Sequence, residues 1–198
     1  MNENISQILE KISSLEKKLQ EELQKEDKTF DFTFNGKKVC FNKELINEQK
    51  HHIEDVFTYL KNAPILYVLT APIIYGLIIP AIILDITVSL YQAINFRVYK
   101  IALVKRDDYI VFDRGYLAYL NTIEKINCIY CSYFNGLMAY VSEVAARTEQ
   151  FWCPIKHARK IAYRHSRYNN FLSYGDAKAF RDELKKLRKQ LQNLEGEK

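Results

Sequence analysis

The stretch from Ala63 to Ala93 (APILYVLTAPIIYGLIIPAIILDITVSLYQA) contains no Lys or Arg and a single acid, Asp85. A bilayer span needs roughly 20 apolar residues at ~1.5 Å rise each, and this run exceeds that by about half. Pro72, Gly76 and Pro80 are the points where such a helix can break, because proline lacks the backbone donor and its ring clashes with the preceding turn. Two arrangements absorb the surplus. One is a single tilted span that ends near Asp85. The other is a re-entrant hairpin broken around Pro80, whose freed backbone groups would have to be buried in protein. A buried core helix of a soluble protein is the competing reading, and such helices are seldom this long or this free of charge. Asp85 would be costly at mid-bilayer and is expected near an interface or at a helix end.

Charge is distributed unevenly about this run. Residues 1–62 carry ten Lys/Arg against twelve Asp/Glu, whereas residues 97–198 carry nineteen against eleven, so the net charge of +5 comes from the C-terminal half. Basic residues near a membrane segment favour the cytoplasmic face and anionic head groups. The expected location is an inner, cytoplasmic membrane with the C-terminal half in the cytoplasm. A solvated helical surface explains the same charge equally well. Met1 opens into polar helical sequence, so insertion is expected to use the internal segment and no cleaved leader.

Upstream, residues 2–27 place Ile5, Ile8, Ile12, Leu15 and Leu19 at alternating steps of three and four, the pattern of an amphipathic helix with a coiled-coil seam. Phe30–Phe41 reads as two alternating runs joined by Asn35-Gly36, a hairpin that would set Phe32 opposite Val39 and Phe30 opposite Phe41, with Cys40 on the other face. Glu44–Lys61 reads as a helix; its adjacent His51 and His52 point apart and chelate poorly. From Phe96, FRVYKIALV-KRDD-YIVF suggests a second hairpin. Gly115 then opens a helix to about Asn135, Gly136 marks a stop, and Leu137–Gln150 forms another helix in which Glu143 and Arg147 make a surface pair.

Four soft-metal ligands fall in paired spacing: Cys128-Ile-Tyr-Cys131, then Cys153-Pro-Ile-Lys-His157. Cys128 and Cys131 share a helix face with Glu124 one turn earlier. Cys153 precedes Pro154, which is favoured at a first helical position, so His157 would sit one turn into a new helix. Two such halves could close a Cys₃His tetrahedron, a structural zinc set. Thiolates also hold iron–sulfur clusters, so the rival is a thiol-redox or iron–sulfur protein using Cys128, Cys131 and Cys153; buried thiols without a ligand are the plain alternative. Glu124 and Glu149 are the acids nearest the cluster. Four protein ligands leave no open position, which favours a closed structural site over catalysis. The sequence carries no glycine-rich phosphate loop and no HExxH motif.

Lys156, Arg159, Lys160, Arg164 and Arg167 follow directly and suit lipid head groups or other phosphates; nucleic acid is the less favoured partner. The last helix places Phe180, Leu184, Leu187, Leu191 and Leu194 on a seam like that of the first, and the two terminal helices are expected to pair with each other or with a second subunit. The chain therefore reads as a mainly helical, membrane-anchored α+β protein. Its parts would be a first helix (1–28), a hairpin and helix (29–61), a membrane segment (63–93), a cytoplasmic metal-site domain with a basic helix (96–170) and a terminal helix (176–196). The expected role is that of an accessory or interaction subunit, a homo-oligomer or part of a larger membrane complex.

Overall fold

The computed structural model describes residues 3–27 and 32–193. The protein is mainly helical, 69% helix, with one two-stranded antiparallel sheet, and it divides into two compact units. The first holds the residues up to Asp55 together with Asp113–Asn121; the second holds Val56–Phe112 and the residues from Thr122 onward.

In the first unit, α1 (Glu3–Asp27) follows the predicted amphipathic pattern, and Ile8, Ile12, Leu15, Leu19 and Leu23 on its seam are all exposed. The hairpin β1 (Phe32–Asn35) and β2 (Lys38–Phe41) forms with a loop one residue later than predicted. Gly36 and Lys37 make the turn, Gly36 taking the positive φ of +62° that it adopts at little cost. Phe32 therefore faces Phe41 and Phe34 faces Val39. The shift moves each pairing by two residues, so the same side chains stay on the same face. Phe32 and Phe41 meet edge to face at 6.0 Å, and Cys40 stands exposed. Phe30 lies outside the described residues. The helix expected to run to Lys61 is split: α2 (Lys43–Lys50), capped by Asn42, ends at the exposed His51-His52 pair, and α3 (Val56–Asn62) begins the second unit. Gln49 Oε1 accepts from the Ala118 amide at 3.0 Å and ties the returning 113–121 segment to α2.

The second unit is built on one rod. Its parts are α4 (Ile65–Gly76), α5 (Ile78–Tyr91), a π-helical turn (Gln92–Phe96) and α6 (Arg97–Tyr99). They form a continuous helix of 35 residues, Ile65–Tyr99, long and apolar enough to cross a membrane. The re-entrant hairpin is not formed. Pro80 falls in the first turn of α5, where its missing N–H is tolerated, and the joint at Leu77 is crossed by a tightened turn with Leu77 N–H bonded to Ile74 O at 3.2 Å.

Helix α7 (Thr122–Trp152) is a second rod, and α8 (Ala177–Gln192) closes the unit. Tyr75 meets Tyr130, Asp85 meets Tyr133, Ser89 meets Tyr140 and Tyr91 meets Thr148, so α4–α5 and α7 run in the same direction. The chain between them must return along the whole length. That return is where the second hairpin was expected, and no hairpin forms. Residues 101–105 take no partner strand because side chains satisfy the backbone instead. The Gln92 amide accepts from Val104 N–H at 3.0 Å and donates to Val104 O at 3.2 Å, while Arg147 donates to Ala102 O at 2.6 Å.

Gly136 does not stop the helix. It lets the return chain lie against α7: a Cβ there would stand 2.5 Å from Tyr109 O and 2.9 Å from Ile110 Cα. Around this contact Ala81, Phe96, Val104, Ile110, Leu137 and Tyr140 form the core. Helix α8, N-capped by Asp176, buries Leu187 and Leu191 within this same unit. Arg188 donates to Phe151 O at 2.7 Å and Gln192 to Tyr99 O at 2.8 Å. The α8 seam thus packs on its own unit at Leu187 and Leu191; Leu194 lies outside the described residues.

Candidate functional site

The four predicted metal ligands are not brought together. Helix α7 runs unbroken from Thr122 to Trp152, so Cys131 and Cys153 stand about 33 Å apart along one rod, and Cys128 and Cys153 about 38 Å, at ~1.5 Å per residue. A zinc site needs its sulfurs within roughly 2.3 Å of one ion. The expectation of one Cys₃His centre for zinc, or of an iron–sulfur cluster on Cys128, Cys131 and Cys153, is therefore not met. Among the described residues no three His, Cys, Asp or Glu side chains gather where a metal ion could bind them. The helix stop expected at Gly136 does not occur, so nothing turns the chain back between the two pairs.

The predicted helix at Cys153 is also missing. Pro154 instead ends α7 and is fully buried, and residues 153–176 form an irregular loop. Two backbone bonds close this loop, Leu172 N–H to Pro154 O and Lys156 N–H to Leu172 O, each 2.8 Å. Cys153 is exposed at its start, and His157 is held by its backbone, whose N–H donates to Tyr168 Oη at 2.7 Å, with the two rings stacked. Cys128 is half-buried and Cys131 exposed, one turn apart, with Glu124 one turn before them.

What the structure does assemble is a line of polar groups buried between the rods. Asp85 is 8% exposed and Gln92 also 8%, although both lie in the apolar rod Ile65–Tyr99. Arg106 grips Asp85 with both Nε and Nη2, the Nη2–Oδ2 distance being 2.6 Å. Tyr133 donates to the same carboxylate at 3.0 Å and Ser89 at 3.3 Å. Gln92 Nε2 donates to Tyr140 Oη at 2.6 Å, and the Tyr140 hydroxyl lies 3.2 Å from that of Ser89. A helix end does not account for Asp85; it sits within α5 on the face turned to α7. The sequence offered a signal in the charged Lys105–Asp108 break, which had been assigned to a turn.

A second cluster lies further along α7. Glu143 and Arg147 were read as a surface pair, but both side chains are largely buried. Arg167 joins them with Nη2 at 2.7 Å from Glu143 Oε1, and its Nη1 donates to Gln150 at 3.2 Å. Burial by itself raises the Glu143 carboxyl, but hydrogen bonds from Arg167 and Arg147 outweigh it and hold the group below its ordinary value. His165 Nε2 lies 3.1 Å from Glu149 Oε2, and its Nδ1 is buried with no hydrogen-bond partner among the described residues. Of the five basic residues assigned to head groups, Arg167 is therefore committed to Glu143. Lys156 is half-buried, Arg164 lies over the Tyr168 ring, and Arg159 and Lys160 are exposed.

Asp85 and Glu143 each accept from donors contributed by distant parts of the chain. Such groups pin segments to each other. No protein-family model, curated protein or solved structure matches this chain.

Proposed function

We propose that the chain is a membrane-embedded accessory protein that works by holding a partner surface, and that Ile65–Tyr99 is its anchor. One observation carries this reading: α5 is inside out. Its protein-facing side, continued by the π-helical turn, holds Asp85, Ser89 and Gln92 beside Ala81 and Val88, while its outer side presents Ile79 at 64% exposure and Ile86 at 62%, with Ile82, Ile83 and Leu90 beside them. In water an amphipathic helix turns its apolar stripe inward. The reverse arrangement is what lipid favours, where polar side chains face the protein interior and pair there. Helix α4 buries none of its residues.

The neighbouring elements fit the same surroundings. Helix α7 has no charged residue from Ile126 to Ser142 and exposes Ile126, Ile129 and Met138. The irregular return chain places Ile101, Ala102, Val104 and Ile110 in the core, and non-helical backbone at membrane depth is tolerated only when buried in protein. Arg159, Lys160 and Arg164 at the other end of the unit suit acidic head groups on the cytoplasmic side. The exposed seam of α1 fits a second copy of itself, giving a homo-oligomer.

The test is fractionation of the full chain. Retention in the membrane pellet after an alkaline carbonate wash, with release by detergent, is the expected result. A monodisperse protein in detergent-free buffer would overturn the proposal.

A further inference from the structure

A groove of about 690 Å³ lies within the second unit, between α3–α4 and the start of α7. Along its first wall Tyr59, Ala63, Tyr67, Ala71 and Tyr75 recur every four residues, large and small in alternation. The second wall is Ile123, Ile126, Asn127 and Cys131. At the end nearest α5 the Tyr75 hydroxyl donates to the Asn127 side chain and Tyr130 Oη donates to Ile74 O at 2.8 Å, which closes the groove there. No charged side chain lines it.

From this geometry we infer that the groove takes one acyl chain of a bilayer phospholipid, an inference that rests on the membrane reading above. Three features select that occupant. A second transmembrane helix would need small residues at every fourth position for close backbone approach, and here a tyrosine stands at every other one. A charged metabolite finds no counter-charge, and the carboxylate of a free fatty acid would be stranded for the same reason. A phospholipid tail avoids that problem because its head group stays outside. Leu60, Tyr67, Val68 and Ile126, which line the groove, are themselves exposed, so a tail enters sideways from surrounding lipid.

The experiment uses the full chain in phosphatidylcholine nanodiscs doped with a phosphatidylcholine that carries a diazirine on one acyl chain, with adducts mapped by mass spectrometry. Adducts on Ile123, Ile126 or Cys131, as well as on the outer residues Ile73, Ile79 and Ile86, are expected. Filling the groove with Ala63→Trp and Ala71→Trp should lower the groove adducts about tenfold or more while leaving the outer ones. The milder Ala71→Leu variant should give a partial fall if the double variant does not fold. Outer adducts without groove adducts would overturn the groove and leave the membrane reading standing. Absence of both would sink the membrane reading as well. Groove adducts unchanged in folded filled variants, or a Cys131–Cys131 cross-link between copies in place of lipid adducts, would also overturn the assignment.

Discussion

Asp85 and Arg106 meet in a two-pronged ion pair across 21 positions of sequence, yet the two ends of the pair are unequally placed: the Arg106 side chain is 40% exposed and that of Asp85 only 11%. Loss of either partner is therefore not equivalent. Arg106→Met leaves a carboxylate enclosed with only Tyr133 and Ser89 as donors and should cost roughly 2–4 kcal/mol. Asp85→Asn leaves a guanidinium that can turn outward, and should cost less than half as much. Equal losses in denaturant titrations of the two variants would contradict this asymmetry.

Glu143 contributes to the acid limb of stability. Its carboxyl is held below its ordinary value in the folded chain, so the unfolded state binds the proton first as pH falls. The stabilisation is complete above the ordinary carboxylate value near ~4, and is lost as pH drops through the lower folded value. Glu143→Gln should flatten that fall when thermal midpoints are followed from neutral to acid pH. An acid limb identical to that of the unmodified protein would show that Glu143 does not contribute to it.

At Gly136 the return chain leaves no room for a methyl group, whereas a Cβ at Gly115 meets nothing within 4 Å. Gly136→Ala should destabilise by about 1–3 kcal/mol. Gly115→Ala should be close to neutral. Circular dichroism melts of both variants compare the two directly, and a harmless Gly136→Ala would mean that Tyr109 and Ile110 pack elsewhere.

Cys131 and Cys153 provide a test of the separation along α7. Residues this far apart with no shared partner have additive effects, within about 0.5 kcal/mol. The double variant Cys131→Ser, Cys153→Ser should therefore lose the sum of the single losses. Strong coupling between them would restore the shared metal centre that the helix separates.

Helix α1 offers Ile8, Ile12, Leu15, Leu19 and Leu23 along one exposed line. Replacing Leu15 and Leu19 with Lys should reduce the mass in detergent-corrected light scattering to that of a single chain. An unchanged mass would place any self-association elsewhere.

The sequence made the periodic elements legible and hid those decided by distant partners. Helix α1, α8 with its Leu187 and Leu191 seam, the hairpin about Gly36 and the 63–93 run all follow from local spacing. Gly136 could not be read correctly, because a glycine that ends a helix and one that admits a crossing backbone look alike until the crossing chain is known. The stretch after Phe96 has strand-like residues, but the Gln92 side chain takes the bonds that a partner strand would have made. The paired cysteines suggested convergence from spacing alone, and spacing carries no information on whether the intervening residues turn back. Asp85 and Glu143 were both noticed, but their partners Arg106 and Arg167 lie 21 and 24 positions away, beyond any local rule.

Two neighbouring rods that point the same way cannot be zipped together as the chain emerges, because the second is made only after the full return stretch. Asp85 leaves the ribosome well before Arg106 and longer still before Tyr133. For that interval its carboxylate lacks the Arg106 and Tyr133 donors that later enclose it. The enclosure of Asp85 is complete only when both have arrived, so the pairing of the two rods waits on the second to be made.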